Sequence, residues 1–348
     1  MHSKGHSQLR PGDLVEVRPA REILMTLDND GALDAVPFMP EMLPYIGRRF
    51  RVAQRAEKIC DLVGPGGSRR MRDTVFLENL RCDGSGHGGC QAECRFYWKE
   101  AWLQRITDDT PEAEAETDSR DQLATVAETA SRPREWDGTS DSYRCQATEA
   151  FRATEPLPGR DPRQYVREVR SGNVGLLRLL RVLTRAAWWS LARRLRIRSD
   201  LPVENKAPGL ERGPERLDLM PGDWVEVRSP EEIGRTLDAN GFNRGLAFVP
   251  EMLVWTGRRA RVARRVERVI SERTGEMLHF KNDCIVLEGI YCTAERSPGR
   301  WFCPRHAPVF WREAWLKRIE PQSTRRSRGG RSGVSSASAR PGRRPHPA

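Results

Sequence analysis

The sequence predicts a mainly β protein: two tandem small barrels, each with a cysteine-rich metal loop, joined by an α-helical segment. Three observations predict it. One module occurs twice, because Pro11–Cys82 overlays Pro221–Cys292 at constant offset with about 30 of 72 paired positions identical. Each copy holds several short strand-forming runs separated by turn residues, with few helical positions. Each copy also brings cysteine and histidine together at chelating spacings.

Module one, residues 8–107, starts with a Pro-Gly-Asp turn and the strand LVEVR (14–18). A short helix is expected over 20–27, then a long proline-punctuated excursion over 31–47. Strands follow at 48–59 and 73–80, joined by a loop containing GPGG (64–67). The cysteine loop 81–95 leads into a closing strand or mixed segment at 96–106. Module two, residues 217–320, repeats this order, and WKEAWLQRI (98–106) pairs with WREAWLKRI (311–319). Trp98 and Trp102, with their copies Trp311 and Trp315, suit the core, since alternate aromatics on a closing strand pack well.

Between the modules, residues 108–139 form an acidic linker, with eight acidic side chains and one arginine over 108–128. Such a composition predicts disorder. Residues 140–200 turn helical. Asp161-Pro162-Arg163-Gln164 is a helix start, Gly172-Asn173 a break, and a second helix should run from Val174 to Arg198. A linker at 201–216 leads to module two, and 321–348 is an Arg/Ser/Gly/Pro-rich tail expected to be disordered.

The net charge of +11 suggests a polyanion partner until its location is considered. Seven arginines and no acid lie in 325–348, so only +4 remains for everything else. No secretory leader and no run of about 18 apolar residues is visible, which makes a cytoplasmic location the expectation. There thiols stay reduced, and eight cysteines favour metal over disulfides.

The opening G-D-x-V-x-V strand, a long loop and then G-R-x-x-R-V (47–52) resemble the start of SH3-like barrels. Examples are KOW modules and the β subunit of nitrile hydratase. The likeness spans roughly 45 residues of each copy. The fuller string, from PEML-x-x-x-GRR-x-RV through RCDGSGHGGC to WKEAWL, is similar to bacterial proteins. The resemblance implies a fold and no catalytic residue. It also implies that the long first loop, with Met42, Leu43, Tyr45 and in copy two Trp255, forms a rim for peptide or nucleic acid.

Copy one offers Cys60, Cys82, Cys90 and Cys94; copy two offers Cys284, Cys292, Cys303 and His306. Tetrahedral zinc takes four thiolate or imidazole ligands, so two closed, structural zinc ions are expected. Cys60 aligns with Ile270 and Cys284 with Thr74. A hairpin centred near Gly67 would place Cys60 opposite Thr74, so that the fourth ligand changes strand between copies. The alternative is that Cys60 and Cys284 are plain buried thiols. Cys145 has no neighbouring ligand in sequence and reads as a small buried apolar residue; His87, between glycines, reads as exposed.

The recurring Glu41/Glu251, Arg48/Arg258, Arg49/Arg259 and Glu100/Glu313 suggest surface or inter-strand ion pairs. No phosphate loop and no nucleophile elbow occurs. The stretch 174–196 carries six arginines, of which Arg178, Arg181, Arg185, Arg193 and Arg196 fall on one helical face, with leucines on the other. It reads as a helix packing its apolar side between the barrels, or as a surface for membrane or phosphate. The functional expectation is a non-catalytic adaptor binding a protein or peptide bivalently. A nucleic-acid binder using barrel loops and the arginine tail is one alternative; a metal-dependent enzyme or accessory subunit is another.

Overall fold

The computed structural model describes residues 8–64, 66–107, 118–133, 141–159, 161–195, 216–297 and 299–320. The expected basic tail and most of the 201–216 linker lie outside these residues.

Each module is built on a five-stranded antiparallel sheet, and the two sheets have one order. In module one the order is Trp98–Lys99, Thr74–Leu77, Arg49–Arg55, Leu14–Val17, Leu103–Arg105. In module two it is Pro308–Trp311, Ile285–Tyr291, Arg259–Arg265, Trp224–Val227, Leu316–Arg318. The registers also repeat: Val15 faces Phe50 and Arg105, and Val225 faces Ala260 and Arg318. The long strand is irregular at one place in both copies, Val52/Gln54 and Val262/Arg264. Such bulges bend a strand and sharpen its twist. A 3-10 turn, Glu100–Trp102 or Glu313–Trp315, separates the last two strands. The chain is therefore mainly β, with helices concentrated between the modules.

Aliphatic and aromatic residues alternate inward as the strand period demands. Val15, Val17, Val52, Val75 and Leu77 are buried in module one, and Val225, Val227, Val262, Ile285 and Leu287 in module two. Trp98, Trp102, Trp311 and Trp315 are all fully buried, as expected. Charged residues of the repeat pin the frame. Arg49 pairs with Glu16 and Arg259 with Glu226 across neighbouring strands, both at 3.0 Å. Glu100 meets Arg55 and Glu313 meets Arg265, both at 2.5 Å. Glu313 also accepts the backbone N–H groups of Leu217, Asp218 and Leu219, which ties the module's first residues to its closing turn.

The excursion 31–47 is core rather than rim. Phe38, Met39 and Met42 are buried, and Tyr45 packs edge-on against Phe50, Phe96 and Trp98. The expectation that Met42, Leu43 and Tyr45 line an open rim is thus corrected: packing them against the module's core removes more apolar surface from water.

Part of the acidic linker is ordered. Asp118–Ala130 is a helix that buries Leu123, Ala127 and Ala130, so the expected disorder does not hold there. Apolar residues spaced four and three apart outweigh the composition. Gly31, with φ +68°, permits the docking, because a Cβ there would lie 2.8 Å from the Ala130 side chain.

The middle segment stitches the modules together. Tyr143 N–H donates to Gly275 O of module two, while the strand Glu155–Leu157 pairs with Ser68–Arg70 of module one. Helices Arg163–Arg170 and Leu176–Arg194 follow, close to the expected bounds. Just ahead of the first of them, Asp161 accepts the Arg163 N–H at 2.9 Å. The second packs the opposite way to expectation. Arg178, Arg181 and Arg185 gather on Glu295 of module two, whereas Leu177 is 84% and Trp188 63% exposed. One partly buried carboxylate able to pair three guanidinium groups outcompetes leucine burial on this face.

Candidate metal centre

The two modules meet through their cysteine loops in a reciprocal embrace. The hairpin of module one, Ile59–Cys60 with Ser68–Arg70, reaches the 292–303 loop of module two. The hairpin of module two, Arg268–Ile270 with Met277–His279, reaches the 82–94 loop of module one. Cys60 N–H donates to Cys303 Sγ at 3.1 Å, and the aligned Ile270 N–H donates to Cys90 Sγ at 3.4 Å.

Within the first loop, Glu41, Cys82 and His87 each offer a ligand atom, all within 4.8 Å of one another. This group can hold a metal ion. The Cys82 Sγ–His87 Nε2 separation is 3.6 Å. Sulfur and nitrogen on one tetrahedral ion would stand about 3.5 Å apart, given bonds of roughly 2.3 and 2.0–2.1 Å. His87 is 3% exposed, so the expectation of an exposed side chain is corrected. The glycines around it, Gly84 and Gly88–Gly89 at positive φ, fold the loop inward instead of holding it out. Glu41 enters from the 3-10 turn Pro40–Tyr45 and accepts the Gly86 N–H at 2.8 Å.

The donor chemistry fits a cation. His87 Nδ1 lies 2.8 Å from Glu41 Oε1, yet Nδ1 and Glu41 Oε2 are buried without a well-aligned hydrogen bond. Orphaned buried polar atoms are costly unless something satisfies them. Burial works against ionisation of all these groups. Even so, His87 and the Gly86 N–H hold the Glu41 carboxyl below its usual range. Contact with Cys82, Cys90 and Glu41 raises the His87 imidazole far above its ordinary value despite burial. The Cys90 thiol is lowered by His87 against the same burial, while burial raises Cys82.

The expected ligand sets are rearranged. Cys82 and Cys90 share His87. Cys94 is packed beside them, its carbonyl accepting the Cys82 N–H at 2.8 Å, and burial pushes its thiol up. Cys60 does not join its own module's loop. It pairs in register with Ser68, whereas the Thr74 carbonyl takes the Ala56 N–H, so Cys60 and Thr74 are not opposite and the strand change fails. Cys284 lies in an apolar cluster with Val266 and Val286, and burial pushes its thiol up to about 12. His306 is also misplaced for a cation. Burial and the guanidinium groups of Arg95, Arg178 and Arg81 lower its pKa to about 4. Neither Cys284 nor His306 belongs to the group of three ligand atoms found among the described residues.

Sequence reasoning missed Glu41, His87 and Cys145 at this centre. Cys145 is buried as expected, but it shares a cavity of about 210 Å³ with Cys82, His87, Cys90 and Cys94. Arg305 and Glu272 of module two close the far side, paired with each other. The signal for Glu41 was its recurrence in both copies; the signal for His87 was its place between two cysteines. In module two Glu251 is saturated instead, by the N–H groups of Arg296 and Ser297 and by Ser297 Oγ at 2.6 Å.

Comparison with family models, curated proteins and solved structures returns no match. No helix among the described residues is long and apolar enough to cross a membrane.

Proposed function

We propose that this chain is a non-catalytic, zinc-stabilised tandem-repeat protein that recognises a protein or peptide partner. Zinc is held by Cys82 Sγ and His87 Nε2, with Glu41 orienting the imidazole from the other ring nitrogen. Carboxylate–histidine–metal chains of this kind fix the tautomer and strengthen the ligand. The burial of His87 and Glu41 supports a structural role, as does the position of the loop under the second module's hairpin. Each module is an SH3-like barrel in this reading, supported by the bulged central strand and the 3-10 turn before the last strand. A second ion, if each module holds one, has to draw on residues other than Cys284 and His306. A reducing, cytoplasmic setting suits eight cysteines without a disulfide among them.

The observation that carries partner recognition is the outward apolar face of the helix Leu176–Arg194. Leu176, Leu177, Leu180, Trp188 and Leu191 are all about half exposed or more, while the arginines are spent on Glu295. Exposed contiguous apolar surface marks interaction sites, and an amphipathic helix laid in a groove is a common mode. The duplication adds a second equivalent module through which one partner can be held twice. A photo-crosslinking residue at position 177, introduced in the native host, is expected to yield a discrete protein adduct. Adducts to lipid alone, or salt-sensitive capture of nucleic acid, would overturn the reading.

A further inference from the structure

We propose that the cavity between the two modules is a binding site for a small neutral molecule, apolar apart from one oxygen that pairs with the Tyr97 hydroxyl. The cavity measures about 210 Å³. Module one supplies Met39, Ala92 and Phe96 to its wall, and module two supplies Val269, Ile270 and Phe310. Ala147 of the middle segment completes it, so an occupant touches all three parts of the chain. Cys82 and His87 of the metal group border the cavity, while Leu62 and Ala307, both exposed, mark where it opens to solvent.

The charged groups on the wall are engaged already. Glu93 pairs with Arg264, and Arg305 donates through two nitrogens to Glu272. Arg95 donates to Gln54 Oε1, Pro304 O and Leu77 O. Gln146 is spent as well: its Oε1 accepts the Tyr97 N–H at 2.8 Å, and its Nε2 donates to Pro37 O and Tyr97 O. Among the described side-chain nitrogens and oxygens of the wall, His87 Nδ1 and Tyr97 Oη are buried without a hydrogen-bond partner. Glu41 stands 2.8 Å from the first. The Tyr97 hydroxyl is left over. Tyr97 is 2% exposed, and Arg305 and Glu272 act on its ionisation, which sets the hydroxyl toward their end of the cavity. A buried hydroxyl without a partner is costly, and a bound acceptor recovers that cost.

These features select the ligand's class. Burial keeps the Tyr97 hydroxyl protonated, so it donates its O–H to a ligand oxygen. An ionised ligand would lose its hydration and find no free counter-charge among the described residues of the wall. Water alone is a poor occupant, because a buried water needs two to four polar partners. An apolar cavity of about 150 Å³ takes benzene, so this one suits roughly eight or nine non-hydrogen atoms. Simple phenols and small cyclic alcohols or ketones meet these conditions. Such a ligand binds only where the modules are joined, and it therefore stabilises their union by mass action.

The test titrates 4-ethylphenol, ethylbenzene and 4-ethylbenzoate into the full chain, held in zinc and reductant, and reads Tm and calorimetric affinity. 4-Ethylphenol is expected to raise the Tm and to bind about three- to tenfold more tightly than ethylbenzene, the net worth of one neutral hydrogen bond. 4-Ethylbenzoate should not bind. Tyr97→Phe keeps the ring against Phe76, 5.1 Å away between centroids, and should bring 4-ethylphenol down to the affinity of ethylbenzene. No binding of either neutral probe, equal binding of the two by the wild type, or an unchanged ratio in Tyr97→Phe overturns the proposal. So does tighter binding of 4-ethylbenzoate. If Tyr97→Phe fails to fold, the unmutated chain decides. The methyl resonances of Val269 and Ile270 should shift on adding 4-ethylphenol, while those of Val225 and Val262 in the core of module two stay in place. Shifts in neither pair, or equal shifts in both, reject the cavity as the site.

Discussion

Trp102 donates its indole N–H to Thr26 Oγ1 at 3.0 Å, and in the second module Trp315 donates to Thr236 Oγ1 at 2.9 Å. The bond joins the closing 3-10 turn to the end of the first helix, and it survives although only some of the surrounding residues are shared. Thr26→Val and Thr236→Val keep the shape but leave a buried indole N–H unpaired. Each substitution should cost about 1–3 kcal/mol. The two residues serve separate cores, so the double variant should show the sum of the single losses. Denaturant unfolding of the full chain checks this; a double variant no worse than either single would show that the cores are not independent.

Chelation tests the Glu41–Cys82–His87 group. Stripping metal should lower the Tm of the wild type, while Cys82→Ser and His87→Ala should begin lower and respond little. Glu41→Gln retains an acceptor for the Gly86 N–H but loses the charge facing His87. Loss of a partner that orients a metal ligand weakens binding by about 10–100-fold. Competition with a chromophoric chelator measures that ratio, and an unchanged ratio would remove Glu41 from the site.

Glu295 is the anchor of the long helix, receiving Arg178 at 2.8 Å with Arg181 and Arg185 nearby. Glu295→Ala should cost about 1–2 kcal/mol, as expected for partly buried charged hydrogen bonds. The loss should appear as faster hydrogen exchange over 176–194. Leu177→Lys, on the exposed side, should stay within about 0.5 kcal/mol of wild type. The reverse ranking would mean that the leucines, not the arginines, hold the helix down.

Glu168 gives a pH signature. Burial raises its carboxyl to about 7, against the lowering influence of Asn173, Lys58 and Arg167, while Glu57 adds to the rise. The folded chain therefore binds this proton more tightly than the unfolded chain does. Stability should fall as pH rises from about 4.5 to about 7, because ionisation is resisted only in the fold. Glu168→Gln preserves the acceptor for Asn173 Nδ2 and has no proton to lose. It should equal wild type below pH 4.5 and exceed it above pH 7. Tm measured across that range decides, and a constant difference would remove Glu168 as the titrating group.

Much of the architecture was legible because the repeat acts as an internal alignment. Strand positions follow from β-branched and apolar runs such as LVEVR, and the four buried tryptophans follow from the WxEAW motif. The helix start just after Asp161-Pro162 was legible because first-turn preferences are a local matter of a few residues. The acidic stretch misled, since net composition hides the few apolar positions, Leu123 and Ala127, that dock a helix. The leucine-rich helix misled in the opposite direction, because amphipathicity shows two faces without showing which neighbour each will meet.

By itself the sequence determined that two like modules exist, that both carry cysteine loops, and which aromatic residues fill their cores. These depend on short-range periodicity and on side-chain chemistry that any copy must satisfy. Only the tertiary structure decided which sulfur faces which. Cys60 leaves its own loop for Cys303, and His87 turns inward to Cys82, because a hairpin's reach across a module boundary is set by packing and not by spacing along the chain. Distances between residues more than two hundred positions apart are fixed by the way whole sheets meet, and no local pattern records them.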